Sequence, residues 1–235
     1  MGRRILRRVM CARYTMATAP DELIEEFEAT LVADALPARY NITPTTEAPI
    51  VVASKKGERR LGLSRFGLIP HWAKDAKIGA RLLNARSESA AEKPAFRDAF
   101  RKRRCLVIAD GFYEWRREGK QKIPHHFHLE GSGEAMKPFA MAGLWAIWDD
   151  PGGEKVSSFT ILTREAEGVA AEIHDRMPVI LQPDTYAAWL DRARTDPDDV
   201  AEILAWHRAR ELTSFEVSQA VNNVRNEGPE LIRPV

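Results

Sequence analysis

Residues 105–115 read CLVIADGFYEW, and how this stretch joins its neighbours decides the fold. Its first five residues are an unbroken apolar run, short enough for a strand and apolar enough to be buried on both faces. Asp110 and Gly111 then interrupt the run before Tyr113, Glu114 and Trp115. Three more strand-like stretches follow, PHHFHLE at 124–130, PFAMAGLWAIW at 138–148 and VSSFTILT at 156–163, with Gly, Pro or charged turns between them. Strands that succeed one another without helices pair antiparallel, which argues against a parallel, doubly wound sheet.

Upstream, residues 12–16 read as a short strand. Thr18 with Asp21 then resembles a capping box opening a helix whose Leu23, Ile24, Phe27 and Leu31 recur at helical spacing, and Pro37 closes that unit. Residues 50–53 form a β-branched run. Residues 61–69 are a second strand candidate, ended by Pro70 and followed by a turn-rich loop holding Trp72. Residues 84–100 predict a loop and then a helix that Pro94 divides. Downstream, 184–191 and 200–210 are helix candidates, and Phe215 and Val217 belong to a short final strand. With no repeat, linker or heptad run, the expectation is one compact α+β domain.

Composition narrows the classes. The chain has 235 residues, of which 44% are hydrophobic, enough for a proper core. The 35 basic residues nearly cancel 34 acidic ones, so any nucleic-acid surface must come from local clustering, not from the net charge of +1. No segment approaches the roughly 18 to 20 consecutive apolar residues of a membrane span, and a membrane partner is not expected. Residues 1–10 carry four arginines without an apolar core, unlike a secretory signal. The two cysteines make no disulfide framework and suit reduced thiols in the cytoplasm.

Four polar stretches lie where an apolar core has no use for them: CARY at 11–14, NARSES at 84–89, ADGFYEW at 109–115 and IHDRMPVIL at 173–181. Glu114, between two aromatics, is either a partly desolvated carboxyl suited to acid/base work or a surface residue of an alternating strand. His174 is a proton shuttle or a loop histidine bonded to backbone, and Arg176 binds an anion or pairs with Asp175. In NARSES, Arg86 offers a fork for phosphate or carboxylate, while Asn84 or Ser87 is also placed to cap the following helix. The HHFH run at 125–128 puts His126 and His128 on one strand face and His125 on the other, with no second cluster at zinc spacing, so no metal is expected. Cys105, inside the apolar run, reads as an inert core thiol.

Taken together and in order, these stretches resemble the SRAP (SOS response-associated peptidase) family, the abasic-site processing proteins. The family pattern runs Met-Cys-Gly-Arg-[Phe/Tyr], Asn-Ala-Arg-x-Glu, Asp-Gly-[Phe/Trp]-[Phe/Tyr]-Glu-Trp and His-x-Arg-Met-Pro. This chain offers MCARY, NARSE, DGFYEW and HDRMP, with further agreement in RYNITPT at 39–45, RFGLIPHW at 65–72 and AVNNVRNEGPELIRP at 220–234. The likeness spans Met10 to the C-terminus, with Ala12 standing where the family has Gly.

The resemblance implies a curved, barrel-like, mostly antiparallel β core with flanking helices, acting as a monomer on single-stranded DNA that contains abasic sites. By motif, Cys11 is the nucleophile, Asn84 positions its amine, Glu114 is the general acid/base and His174 assists sugar ring opening or crosslink reversal. Arg13, Arg86 and Arg176 are phosphate contacts, and Trp72 stacks on a base or wedges a strand end. The implied activity is lyase-like crosslinking in DNA repair, cytoplasmic and nucleoid-associated when DNA is bound, with no cofactor. The alternatives are a cysteine-type protease, a hydrolase removing its own leader, and a non-covalent single-strand binder.

The chemistry explains the residue types. A chain-terminal cysteine carries an amine and a thiol on adjacent carbons, so the amine forms a Schiff base with the open-chain aldehyde and the thiol closes a thiazolidine. An α-amine has a reference pKa of about 7.7 to 8.0, leaving a useful unprotonated fraction near neutrality. That amine exists only if Cys11 is residue one. Residues 1–10 are therefore expected to be an upstream extension or leader missing from the mature protein, with residues 11–235 as the domain.

Overall fold

A computed structural model describes residues 12–131 and 136–235. In chain order the strands are β1 Tyr14–Met16, β2 Thr30–Leu31, β3 Arg39–Ile42, β4 Glu47–Ala53, β5 Arg59–Phe66, β6 Asn84–Arg86, β7 Arg104–Ala109, β8 Gly111–Glu118, β9 Gln121–Leu129, β10 Phe139–Asp149, β11 Lys155–Glu165, β12 Arg176–Pro178 and β13 Leu212–Glu216. The α-helices are α1 Pro20–Glu26, α2 Ser87–Ala90, α3 Arg97–Lys102, α4 Tyr186–Leu190 and α5 Pro197–Ile203.

Five of these strands close on themselves. β7 pairs with β4 and β10, β4 with β5, β10 with β11, and β11 returns to β5 through a parallel contact at Ser158 and Phe159. The result is a mixed, mostly antiparallel barrel, and closure removes the exposed edges that invite aggregation. β7 is buried along its whole length, as its apolar run requires. The second sheet, in the order β13-β9-β8-β1-β3, is antiparallel throughout. One of its faces packs on the barrel, where Tyr14 meets Phe66 edge-on at 5.6 Å and Phe66 stacks on Phe159 at 5.3 Å. Each such ring buried contributes roughly 1.5–3 kcal/mol.

CLVIADGFYEW is where the two layers are joined. β7 ends at Ala109 in the barrel, Asp110 makes the corner and Gly111 begins β8 in the other sheet. The Asp110 carboxylate accepts from the Thr15 hydroxyl at 2.5 Å, the Ala17 N–H at 2.5 Å and the Thr18 N–H and hydroxyl at 3.0 and 3.2 Å, which ties β1 to the corner. A Cβ on Gly111 would lie 2.2 Å from His126 Nε2 and 2.9 Å from the Phe127 carbonyl oxygen. Gly111→Ala is therefore expected to cost about 3 kcal/mol, overpacking a site closed by backbone. A urea midpoint unchanged from the parent protein would show that the corner can yield.

Several expected elements differ. Thr18 gives both its donors to Asp110 and opens no capping box; Ala19 is the N-cap and Pro20 starts α1. Glu28 takes a left-handed φ of 48°, and Leu31 passes into β2 beside β5 instead of extending the helix. Asn84–Arg86 is a strand, not a loop, because β11 offers a parallel edge there. Neither Asn84 nor Ser87 caps α2, whose N-cap is Arg86 without a side-chain bond. Pro94 does separate α2 from α3. The helix expected over 200–210 starts earlier, at Pro197, where Asp196 accepts from the Asp198 N–H at 2.9 Å, and stops at Ile203.

Candidate active site

Alternation along β8 sends Tyr113 and Trp115 to one face and Glu114 to the other. Glu114 faces the barrel side and is only 6% exposed, so it is no surface residue. β1 runs antiparallel beside it. Tyr14 is opposite Phe112, and the Tyr113 N–H donates to the Arg13 carbonyl at 3.0 Å, so Ala12 is carried alongside Glu114. Ala12 packs against the main core. Cys11, the expected nucleophile, lies outside the described residues.

The C-terminal part of β11 gathers two other motifs. β6 runs parallel along one edge, with Asn84 opposite Ile161 and Arg86 opposite Thr163. β12 runs antiparallel to it, with Arg176 opposite Glu165 and Pro178 opposite Thr163. NARSES and HDRMP, about 90 residues apart in sequence, thus meet across one strand end. The Arg176 guanidinium grips both carboxylate oxygens of Glu88 and the Thr163 carbonyl at 2.6 Å. This bond, outweighing partial burial, holds the Glu88 carboxyl below its usual range. Arg176 thus pairs with Glu88 on α2, while Asp175 turns to His174.

His174 is buried, and its Nδ1 lies 3.0 Å from the Arg176 N–H and 2.7 Å from Asp175 Oδ1. One nitrogen cannot serve both at once. A ring with bare Nδ1 accepts the amide, whereas a ring carrying Nδ1–H donates to Asp175.

Arg13 lies on the opposite sheet face from Glu114. Its guanidinium donates to Asn41 Oδ1 at 3.1 Å and to the Val221 and Asn222 carbonyls, and stacks over Trp115 at 5.9 Å. Burial lowers its pKa. Buried Asn41 donates to the carbonyls of Val221, Asn223 and Asn226, so the C-terminal segment is strapped across this face. Trp72 is half-exposed, near the other end of the barrel, where the Ala73 carbonyl accepts from Trp148 Nε1 at 2.7 Å and Trp148 pairs with Val156. From Val156 to Thr163 is roughly 23 Å at about 3.3 Å per residue. The structure therefore joins Arg86 with Arg176, and sets Trp72 and Arg13 apart from them.

Sequence reasoning passed over Asp110, Thr15, Asn41 and Glu88. Asp110 before a Gly is a turn signal and Asn41 sits in RYNITPT, but nothing local shows that their partners lie about 95 and 180 residues away. The HHFH run by itself shows His126 only as part of a polar strand face. It is fully buried beside Tyr113 and Phe215, with Nε2 3.2 Å from Thr15 Oγ1.

Fold and site define the class: an α+β protein on a closed mixed barrel, with a buried acid on β8 and a buried imidazole just before β12. The chain belongs to the SOS response associated peptidase (SRAP) family, which it matches over residues 10–224. Among relatives, it is 39% identical over 226 residues to the abasic site processing protein YoqW of Bacillus subtilis, covering 95% of this chain and 99% of that one. It is 32% identical over 222 residues to the abasic site processing protein HMCES of Xenopus tropicalis, covering 83% of this chain and 66% of that one. A solved structure from Bacteroides thetaiotaomicron has the same fold, with a TM-score of 0.83 at 24% identity over 96% of this chain and all of that one. A Bordetella bronchiseptica structure gives 0.74 at 26% identity over 88% of this chain and all of its own.

Proposed function

We propose that this protein processes abasic sites in single-stranded DNA by closing a thiazolidine between Cys11 and the sugar aldehyde, leaving a shielded DNA-protein crosslink. The observation that carries the reading is the register of β1 on β8, which brings Ala12 alongside Glu114. Consecutive Cα atoms are about 3.8 Å apart, so an α-amine on Cys11 is tethered within a few ångströms of that register position. Glu114 relays protons for Schiff-base formation and release, His174 assists sugar ring opening or reversal, and Asn84 orients the amine. Arg86 and Arg176 supply phosphate contacts at the β11 end; Arg13 and Trp72 serve as outlying contacts. The abasic-site names of the relatives agree with this reading.

The experiment uses the chain beginning at Cys11, incubated with a single-stranded oligonucleotide bearing one abasic site and with its intact counterpart. The expected result is a heat-stable adduct on the abasic strand alone. Equal salt-sensitive binding to both strands without an adduct would leave a non-covalent binder instead. The peptidase named in the family description would draw on the same Cys11, Glu114 and His174, acting on residues 1–10. The N-terminal mass of the full 235-residue chain reads that activity directly.

A further inference from the structure

We propose that His125 carries protons between the buried carboxyl of Glu114 and the exposed carboxylate of Glu216. The inference rests on Glu114 acting as the acid/base.

β9 lies between β8 and β13, and His125 is directly opposite Glu114 on one side and Glu216 on the other. Directly opposed residues project from the same face, and neighbouring strands are about 4.8 Å apart. The three side chains therefore form one row across the sheet. Exposure rises along it, from 6% at Glu114 to 9% at His125, and Glu216 is exposed. A buried acid/base that turns over must exchange its proton with solvent, and this row leads from the site to the sheet rim.

Among the described residues, the polar atoms of the His125 ring have no structural partner. Both of its nitrogens are screened from solvent, and neither is hydrogen-bonded to another described residue. Its neighbour His126, by contrast, is engaged with Thr15. Leaving two polar atoms unbonded in a buried position costs stability, which a purely structural role would avoid. Since neither nitrogen is bonded to a flanking carboxyl, each transfer passes through one bridging water or follows a turn of the ring toward its cross-strand neighbour.

The charges facing His125 are Glu114, Arg116 and Glu118 from β8 and Glu216 from β13. Burial first, then Arg116, lowers the ring's pKa, while Glu216 and Glu118 act in the opposite sense. At neutral pH the ring is then uncharged, accepting at one nitrogen and donating at the other. The Glu114 carboxyl gives its proton to one ring nitrogen. The proton on the other nitrogen leaves to the Glu216 carboxylate, and the ring ends neutral in its alternative tautomer.

The test measures crosslink release from the chain beginning at Cys11. His125→Phe is expected to slow release at least about tenfold with binding to intact single-stranded DNA unchanged, and imidazole added to His125→Ala is expected to restore the rate. Release within twofold of the parent in His125→Phe, with Glu114→Gln slow, would overturn the relay and leave the acid/base reading standing. Unchanged release in Glu114→Gln would remove that reading and the relay together. Restoration by His125→Gln, which can hydrogen-bond but cannot carry a proton, would overturn it too. In the unmutated chain, ring NMR signals of His125 should report the titration of both carboxyls; a ring titrating as an independent group counts against the proposal.

Discussion

Replacing Cys11 with Ala, in a chain beginning at residue 11, is expected to turn a shielded crosslink into a cut strand. The α-amine survives the substitution, so a Schiff base with the abasic aldehyde still forms. Without the thiol there is no second nucleophile to close the five-membered ring, and the iminium persists. An iminium acidifies the adjacent carbon and promotes β-elimination of the 3′ phosphate. On denaturing gels the heat-stable adduct should disappear while strand cleavage rises above the protein-free background. Retaining residues 1–10 should abolish both products, because an acylated amine cannot form the imine. A heat-stable adduct from Cys11→Ala, or from a chain proved by mass to keep those ten residues, would place the nucleophile elsewhere.

Acid is expected to unfold the protein through His126. Thr15 Oγ1 has one proton, given to Asp110 at 2.5 Å, so it accepts from His126 Nε2–H, and the neutral ring carries its proton there. Protonation would add an N–H at Nδ1, which is buried with no hydrogen-bond partner among the described residues. Burial, reinforced by nearby His128, pushes the His126 pKa down to about 3. The unfolded chain binds this proton below about 6.5 and the folded one resists it until about 3. Stability should therefore fall as pH drops through that window, by up to about 1.4 kcal/mol per pH unit from this residue. His126→Phe, which can rest against Tyr113 and Phe215, should flatten the dependence by nearly one proton in urea midpoints between pH 7 and pH 4. Parallel slopes for parent and variant would show that other groups drive acid unfolding.

The succession of strands was legible because apolar runs broken by Gly and Pro report local backbone preference, and β7 to β11 follow it. The capping box at Thr18 misled because a hydroxyl next to a helix start has two possible partners, and Asp110 outcompeted the helix. Asn84–Arg86 reads as a loop since two polar residues around one Ala are too short a pattern to signal a strand; an open parallel edge of β11 makes them one. The helix placed at 200–210 started too late because its opening signal was Asp196 followed by Pro197, not the apolar spacing beyond it.

The order of motifs by itself determined the family and the barrel-like β character and pointed to the residue types proposed to carry the chemistry, since these depend on identity and spacing along the chain. Tertiary structure alone decided that one apolar stretch serves two sheets through the Asp110 corner, that NARSES and HDRMP share the end of β11, and that Arg13 and Glu114 face opposite ways. It also placed His125 between two carboxylates. The physical reason is that strand register is set by long-range pairing and by which face is buried. A single-residue slip reverses every side chain, and no local signal records that choice.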